Sequence, residues 1–257
     1  MSSKTIIIAT LGPSSRSAET LKSMIESGMD MARLNFSWGT YEEHHNFIEN
    51  IRSVATSLLK SVPIIIDLSG PRVKEDDGHH IDANSIKTIT EKDLSDIDFG
   101  IKENVEYFAM SYVKSASDIL ELKNIIKEKG GNQKVIAKIE TKEAVSSLEE
   151  IIKNSDMVMV ARGDLGNEFP LEEIPFVEKK IIKTANDLNV PVIVATQMLL
   201  SMIKNKEPTR AEVTDEVFAI LEGAQGVMLS EETATGENPV EAVSFMERIA
   251  NNTEKNI

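Results

Sequence analysis

Charged side chains follow two short apolar runs in the middle of the chain, and their types suit metal-dependent chemistry. The run that begins at Lys134 ends with Lys138 and Glu140, and the run that begins at Met157 is followed by Asp164. Two carboxylates beside an ammonium group suit a hard divalent cation, Mg²⁺ or Mn²⁺, together with an anionic substrate that supplies oxygen. A plain ion pair between Lys138 and Glu140 is the structural alternative.

Polar residues also follow the other apolar runs of the chain. The segment ARGDLG adds backbone N–H groups at the start of a predicted short helical turn, where a carboxylate or phosphate would be stabilised. If all these runs are strands that end on one face, their polar residues form one site. They are Arg33, Asn35, Ser37, Asp67, Ser69, Arg72, Lys74, Thr196, Gln197, Ser230, Glu231 and Glu232.

The elements that would position these residues repeat about eight times along the chain. The apolar runs are TIIIAT, MARLNF, PIIIDL, YFAMSYV, KVIAKI, MVMVAR, PVIVAT and GVMLS, and each is followed by a segment with helical spacing of apolar residues. Continuous apolar strands that alternate with helices indicate a parallel sheet buried on both faces. We predict an α/β fold, a single (β/α)8 barrel, with an open doubly wound sheet as the alternative.

Composition limits the classes of partner and chemistry. The 257 residues carry a net charge of -14 and no cysteine, which argues against nucleic acid or anionic membrane as partner and excludes thiolate chemistry. We expect one domain over residues 1–257. The N-terminal residues lack the features of a signal peptide, and no apolar run reaches membrane-spanning length, so we expect a cytoplasmic location.

Seven motifs carry a resemblance to a known family. TLGPSS, ARLNFSWGT, KIE, MVARGDLG, IVATQMLLSMI, EPTRAEVTD and GVMLSEETATGENPVEAV occur in this order and span nearly the whole chain. In sequence and order they are similar to the motifs of the pyruvate kinase family, specifically of its central barrel domain. The resemblance implies a small-molecule substrate, phosphoenolpyruvate or pyruvate, and a divalent metal, Mg²⁺ or Mn²⁺.

The resemblance also implies roles for individual residues. Glu140 and Asp164 would bind the divalent ion, and Lys138 would stabilise the transferred phosphoryl group or the enolate. Thr196 would lie near the carbon that is protonated. The backbone N–H groups of Gly163 and Asp164 would hold the substrate carboxylate. Lys138 and Thr196 are therefore candidate catalytic residues.

Further implied roles lie on the phosphate side of the site. Arg33 would contact the phosphoryl group, as a catalytic and substrate-binding residue, and Lys74 stands where the family has a phosphate-binding arginine. Asn35, Ser37 and Asp67 would line a monovalent-cation site. Arg72 replaces an acidic residue of the family, and a guanidinium there would take the place of the cation. We therefore predict no potassium activation. The residues in question are Arg33, Asn35, Ser37, Asp67, Arg72 and Lys74.

The largest departure from the family is an absence. The family carries a lid domain inserted after the third strand, whereas this chain has only the polar segment from Lys74 to Ser85, which we expect to be a short loop. The loss of that lid, with Trp38 and Glu231 adding bulk near the mouth, argues against a nucleotide pocket of the family type. Because the chain ends at Ile257, we also expect no effector domain after the barrel and no allosteric control of the family kind.

Three functions follow from these residues. The first is phosphoryl transfer between phosphoenolpyruvate and ADP through a metal-stabilised enolate. The second is a metal-dependent pyruvate or oxaloacetate lyase, an aldolase or decarboxylase, that uses the same enolate chemistry without a nucleotide. The third is a non-catalytic regulator that binds such a metabolite. The family places the element resembling EPTRAEVTD at a subunit contact, so a homo-oligomer is also expected.

Overall fold

Eight parallel strands close into a barrel in a computed structural model that describes residues 3–75, 78–81 and 88–257, with the backbone alone at 72–75 and 78–81. Each barrel strand pairs with the barrel strand that comes next along the chain, and the last pairs with the first. The predicted (β/α)8 barrel is thereby confirmed, and the open sheet is excluded. The barrel strands are β1 Ile6–Thr10, β2 Met31–Asn35, β3 Ile64–Asp67, β6 Tyr107–Met110, β7 Lys134–Ile139, β8 Met157–Ala161, β9 Val192–Ala195 and β10 Gly226–Leu229.

Helices connect the strands and surround the barrel. Several helices are preceded by a threonine whose hydroxyl accepts the backbone N–H of an acidic residue three positions later. The carboxylate of that acidic residue accepts the backbone N–H of the threonine, as in the pair Thr40 and Glu43. The helices are α1 Ala18–Glu26, α2 Tyr41–Ser57, α3 Glu91–Lys102, α4 Ala116–Glu128, α5 Lys142–Ser146, α6 Leu148–Asn154, α7 Arg162–Glu168, α8 Ile174–Asp187, α9 Arg210–Leu221, α10 Glu231–Ala234 and α11 Pro239–Glu254.

The core has two parts, which the alternation of strand side chains separates. The larger part lies between the outside of the barrel and the helices. The smaller part fills the barrel interior, so the barrel is a packed core and not a pore. Its buried members are Ile8, Met31, Ile65, Ala109, Ile136, Met157, Met159, Ile193, Ala195 and Met228.

The segment predicted as a loop from Lys74 to Ser85 is, in its described part, a β-hairpin. Strands β4, Arg72–Glu75, and β5, Gly78–Ile81, pair antiparallel and form a separate two-stranded sheet. The sequence did not indicate these strands, because their residues are mostly polar and lack an apolar pattern. Residues 76–77 and 82–87 lie outside the described residues.

No helix in the described ranges has both the length and the apolar character that a membrane crossing needs.

Candidate active site

A polar layer lies directly above the apolar interior of the barrel. Side chains two residues apart on a strand point to the same side, so a polar residue two positions after an interior apolar residue also faces the barrel axis. This relation joins, for example, Ile65 to Asp67 and Ile136 to Lys138. The layer formed in this way contains Thr10, Arg33, Asp67, Ser111, Lys138 and Ser230.

Four residues of this region form a buried row of alternating charges. Arg33 contacts Asp67 through Nε at 2.9 Å and Nη2 at 2.7 Å, both to Oδ2. Lys138 Nζ lies 3.1 Å from Asp67 Oδ1 and 2.8 Å from Glu140 Oε1. Lys138 Nζ also donates to Ser111 Oγ at 2.7 Å. Two cations and two carboxylates are therefore held at the ends of β2, β3 and β7, with β6 between β3 and β7, where water is largely excluded.

The two cations determine the charge state of Asp67. Burial by itself raises the pKa of this carboxyl, but the charges of Lys138 and Arg33 outweigh the burial and lower the pKa to about 2. Asp67 therefore stays ionised at neutral pH and keeps Arg33 and Lys138 at the centre of the barrel mouth.

Tyr112 links the two predicted metal ligands. Its backbone N–H donates to Glu140 Oε2 at 2.7 Å, and its phenol O–H lies 3.4 Å from Asp164 Oδ1. The residue has φ 56°, in the left-handed region that is uncommon for residues other than glycine. This backbone conformation directs the N–H of Tyr112 toward Glu140. Tyr112 therefore contacts both Glu140 and Asp164.

Thr196 occupies a tight turn directly after β9. Thr196 and Gln197 have φ angles of 73° and 53°. The hydroxyl of Thr196 accepts the backbone N–H of Gly163 at 2.8 Å and donates to the carbonyl of Ala195 at 2.5 Å. The N–H of Gly163, predicted to hold a substrate carboxylate, is thus bonded to Thr196 in this structure.

The predicted monovalent-cation residues lie side by side, but one of them is fully engaged. Asn35 and Asp67 are register partners at the ends of β2 and β3, and Asn35 Oδ1 accepts the N–H of Ser37 at 3.1 Å. Both carboxylate oxygens of Asp67 contact Arg33 or Lys138. Arg72 and Lys74 lie on β4, and their side chains are outside the described part of the structure.

A cavity of about 520 Å³ opens beside Arg33, between β1, β2 and β10. Arg33 and Asn35 line its inner side, and the Trp38 side chain, 54% exposed, lines its outer side. Arg16 and Glu231 are further lining residues. The cavity therefore lies directly beside the buried row of charges.

Glu140 and Asp164 are the pair of carboxylates predicted to hold a divalent ion. The ranges 3–71 and 88–257, for which side chains are described, contain no cluster of three or more histidine, cysteine, aspartate or glutamate residues suited to a metal. Glu140 and Asp164 provide two oxygen donor groups, and Mg²⁺ commonly takes one or two carboxylates and fills its other positions with water and substrate oxygens. The donor set therefore fits Mg²⁺ or Mn²⁺ that shares its coordination with a substrate.

Three contributing residues were not singled out from the sequence. Ser111 and Tyr112 follow β6, and Arg162 follows β8. Ser111 was predictable in principle, because it lies two residues after Ala109 of the barrel interior. The roles of Tyr112 and Arg162 depend on backbone conformations and contacts between distant loops, for which the sequence pattern has no signal.

A second group of acidic residues lies under the turn that contains Thr196. Arg162 Nη1 contacts Asp215 Oδ2 at 2.6 Å and Glu178 Oε2 at 3.4 Å. Burial raises the pKa of Glu178 to about 7, against the opposing charge of Arg162. Burial also raises the pKa of Glu216 well above its ordinary value, and neither carboxylate oxygen of Glu216 has a hydrogen-bond partner within the described ranges.

Comparison with known proteins gives a consistent match. The chain matches the family model for the barrel domain of pyruvate kinase over residues 2–85 and 77–243. It is similar to the pyruvate kinase of Bacillus licheniformis, with 37% identity over 335 residues that cover 98% of this chain and 57% of the relative. The pyruvate kinase of Thermococcus litoralis is 36% identical over 334 residues, which cover 99% of this chain and 70% of the relative.

The pyruvate kinase of Geobacillus stearothermophilus is 37% identical over 338 residues, covering 99% of this chain and 58% of the relative. The chain thus spans little more than half the length of most of these curated relatives. Each alignment is also longer than the 257 residues of the chain, so the relatives carry residues within the matched region that have no counterpart here.

Proposed function

The chain belongs to the pyruvate kinase family, and on that basis we propose that its barrel transfers a phosphoryl group between phosphoenolpyruvate and ADP. The observation that carries the proposal is the buried row formed by Arg33, Asp67, Lys138 and Glu140. Phosphoryl transfer requires little covalent participation by the protein and depends on fixed positive charge around the moving group. Arg33 and Lys138 supply such charge, and Asp67 holds both in place.

In the proposed reaction, the bond between phosphorus and the enol oxygen of phosphoenolpyruvate breaks while phosphorus bonds to a terminal oxygen of ADP. Lys138 would stabilise the negative charge that remains on the enol oxygen, and Arg33 would contact the phosphoryl oxygens. The methylene carbon then takes up a proton and gives pyruvate. Thr196, with Gly163 holding its hydroxyl, would lie beside that carbon.

Glu140 and Asp164 would hold a divalent ion, Mg²⁺ or Mn²⁺. When bound, the ion would add positive charge next to the substrate oxygens, as divalent ions do in phosphoryl-transfer sites. Tyr112 supports this assignment, because its N–H bonds Glu140 and its phenol contacts Asp164, so one residue orients both carboxylates. Lys74 remains a proposed phosphate-binding residue.

The phosphoryl acceptor would occupy the cavity beside Arg33. This placement is supported by the size of the cavity, about 520 Å³, by the shared wall formed by Arg33 and Asn35, and by the exposed Trp38, on which a base could stack. We further propose that the segment containing β4 and β5 takes the position of the family's lid domain. This view is supported by the length of the alignments, which exceeds the 257 residues of this chain, because the relatives therefore have residues in the matched region that this chain lacks.

A metal-dependent pyruvate or oxaloacetate lyase is the second candidate. One observation favours it: Lys138, Glu140, Asp164 and Thr196 all lie on or shortly after three adjacent strands, β7, β8 and β9. These groups would suffice to form and protonate an enolate. A lyase would use them without phosphoryl transfer.

One pair of assays separates the two functions. The protein is incubated with Mg²⁺ or Mn²⁺ and pyruvate in deuterated water, and in parallel with phosphoenolpyruvate and ADP. We expect deuterium in the pyruvate methyl group and ATP in the second assay. Deuterium without ATP would overturn phosphoryl transfer and leave the lyase, and the lack of both would overturn both candidates.

Two variants test the site assignment in these assays. Lys138→Met and Glu140→Gln should lose both activities. Lys134→Met is the matched control, because Lys134 is exposed at the opposite end of the same strand. Full activity in Lys138→Met would contradict the role of this residue. The homo-oligomer expected from the EPTRAEVTD element also remains a prediction, and light scattering on the purified chain measures its mass directly.

A further inference from the structure

We propose that Arg162 is a positioning residue for Thr196. It holds the strained turn after β9 so that the threonine hydroxyl keeps one orientation toward the substrate. The inference deepens the proposed function and rests on it, because Thr196 is there assigned to the carbon that takes up a proton. Arg162 itself is not assigned a contact with substrate.

The turn needs an external constraint. Thr196 has φ 73° and Gln197 has φ 53°, and a left-handed conformation is especially unfavourable for a β-branched residue such as threonine. Such conformations persist where the surrounding structure holds them, and they concentrate at functional sites. The contacts around the turn therefore decide whether Thr196 stays in place.

Arg162 makes those contacts with the backbone. Its Nε and Nη2 donate to the carbonyl oxygen of Thr196 at 3.2 Å and 2.8 Å, and Nη2 also donates to the carbonyl of Gln197 at 3.2 Å. A planar guanidinium can bind two carbonyls in a fixed geometry, which the single ammonium of a lysine cannot reproduce. Arg162 thus fixes the peptide groups on the carboxyl side of Thr196.

The next residue along the chain fixes the side chain. The N–H of Gly163 donates to Thr196 Oγ1 at 2.8 Å, and Thr196 Oγ1 donates its proton to the carbonyl of Ala195. A hydroxyl has one donor and two acceptor sites, so one acceptor site stays open. Arg162 and Gly163, consecutive residues at the start of α7, therefore hold the carbonyl and the hydroxyl of Thr196 together.

Acidic side chains of two helices bind the Nη1 group of Arg162, which does not face the turn. Nη1 contacts Asp215 Oδ2 on α9 at 2.6 Å and Glu178 Oε2 on α8 at 3.4 Å, and the Arg162 side chain is 9% exposed. Because Nη1 is used on these carboxylates, Nε and Nη2 remain directed at the turn. The guanidinium thereby joins α8 and α9 to the loop that carries Thr196.

The test uses Arg162→Lys, Asp215→Asn and a control, Lys179→Gln. The control breaks the exposed ion pair between Lys179 and Glu222, which also joins α8 to the end of α9 but does not contact the turn. The first readout is independent of activity: the NMR resonance of the Thr196 methyl group, assigned with Thr196→Ser, and hydrogen exchange of the Gly163 amide. The second readout is deuterium exchange of the pyruvate methyl group. Mn²⁺ affinity is measured separately on the same variants.

We expect Arg162→Lys to shift the Thr196 resonance and to accelerate exchange of the Gly163 amide. Methyl exchange of pyruvate should fall about 10- to 100-fold, the loss expected when a reacting group is displaced by about 1 Å. Mn²⁺ affinity should stay unchanged, because the guanidinium contacts named above go to the carbonyls of Thr196 and Gln197 and to the carboxylates of Glu178 and Asp215. Asp215→Asn should change the same quantities less, and Lys179→Gln should change none.

The failures of the two proposals are distinguishable. An unchanged Thr196 resonance and unchanged Gly163 exchange in folded Arg162→Lys would overturn the positioning role, whatever the activity. If Arg162→Lys does not fold, the same two readouts in Asp215→Asn decide the question. Wild-type protein that neither exchanges pyruvate nor forms ATP would overturn the proposed function, while the NMR readouts would still decide whether Arg162 holds the turn.

Discussion

Lys138 Nζ lies 2.8 Å from Glu140 Oε1, a contact between the end of β7 and the residue that directly follows this strand. Lys138 is also 3.1 Å from Asp67 on β3, so a single buried ammonium compensates two carboxylates. Removing one partner of a buried ion pair leaves the other charge uncompensated, which costs far more than the pair contributes as a whole. The site is therefore also a determinant of stability.

Lys138→Met should destabilise the barrel as well as abolish activity. We expect the free energy of unfolding to fall by about 3–5 kcal/mol, the range for breaking a buried pair. Urea denaturation measures this change. The double variant Lys138→Met/Glu140→Gln should recover part of the loss, because it removes a stranded charge. Lys129→Met, which breaks a partly exposed pair with Asp98, serves as the control. A loss no greater than that of the control would contradict the buried network.

Tyr112→Phe should weaken metal binding while keeping the fold. The substitution removes the phenol that lies 3.4 Å from Asp164 Oδ1 but keeps the ring and the backbone N–H that bonds Glu140. Loss of a residue that orients a metal ligand typically costs about 10- to 100-fold in affinity, and we expect the lower end because the contact is long. Mn²⁺ titration followed by electron paramagnetic resonance measures it. Equal affinities in Tyr112→Phe and in the control Tyr107→Phe would refute the role of the phenol.

Asp67 should contribute to stability above about pH 4 and lose that contribution in acid. Its pKa in the folded state, about 2, lies below the ordinary value of 3.8. The folded state therefore binds fewer protons than the unfolded state in this interval, and stability falls as pH drops through it. Urea denaturation between pH 5 and pH 2 should show a shallower decline for Asp67→Asn than for wild type. Asp98→Asn, at an exposed carboxyl outside the site, serves as the control variant.

Glu178 and Glu216 should act in the opposite direction at higher pH. Their pKa values are raised in the folded state, Glu178 to about 7. The folded state holds protons that the unfolded state has released, so stability is greatest below about pH 4.5 for these groups and falls as pH rises. Each group lowers the free energy of unfolding by at most about 1.4 kcal/mol for each unit that the pH rises.

Glu216→Leu tests this linkage directly. It removes a carboxyl that has no hydrogen-bond partner in the described ranges and fills the site with apolar atoms. We expect the variant to gain about 1–3 kcal/mol at pH 8, the cost of burying an unsatisfied polar group, and to show a smaller dependence on pH. The control is Glu121→Leu on the exposed side of α4. A loss of stability in Glu216→Leu at pH 8 would mean that the carboxyl is satisfied by a contact outside the described residues.

Potassium should not activate the proposed reaction. Both oxygens of Asp67 are already bonded to cationic side chains, and the sequence places the additional positive charge of Arg72 shortly after β3. ATP formation should be equal in potassium and sodium salts at the same ionic strength. Arg72→Glu is the informative variant. A strong preference of the wild-type protein for potassium would show that Asn35, Ser37 and Asp67 bind the ion after all.

The sequence by itself determined the α/β class and the positions of the candidate residues, and it favoured a closed barrel over an open sheet. Continuous apolar strands such as Met157–Ala161, each followed by a helical pattern, are compatible with few folds other than a parallel sheet buried on both faces. Because loops at the carboxyl ends of barrel strands share one face, Lys138, Glu140, Asp164 and Thr196 could be assigned to one site before any contact was known. The polar segment from Lys74 was predicted as a loop, because its strands lack an apolar pattern.

Only the tertiary structure decided which of these groups meet. Asp67 and Lys138 are 71 residues apart, and their contact depends on the stagger of the strands around the barrel. Tyr112 bonds Glu140 through a left-handed backbone conformation, and Arg162 bonds the turn after a different strand. Sequence periodicity predicts neither contact. Periodicity reports which side of an element a residue faces, because it reflects burial. Partners are set by backbone angles and strand register, which depend on the packing of the whole chain.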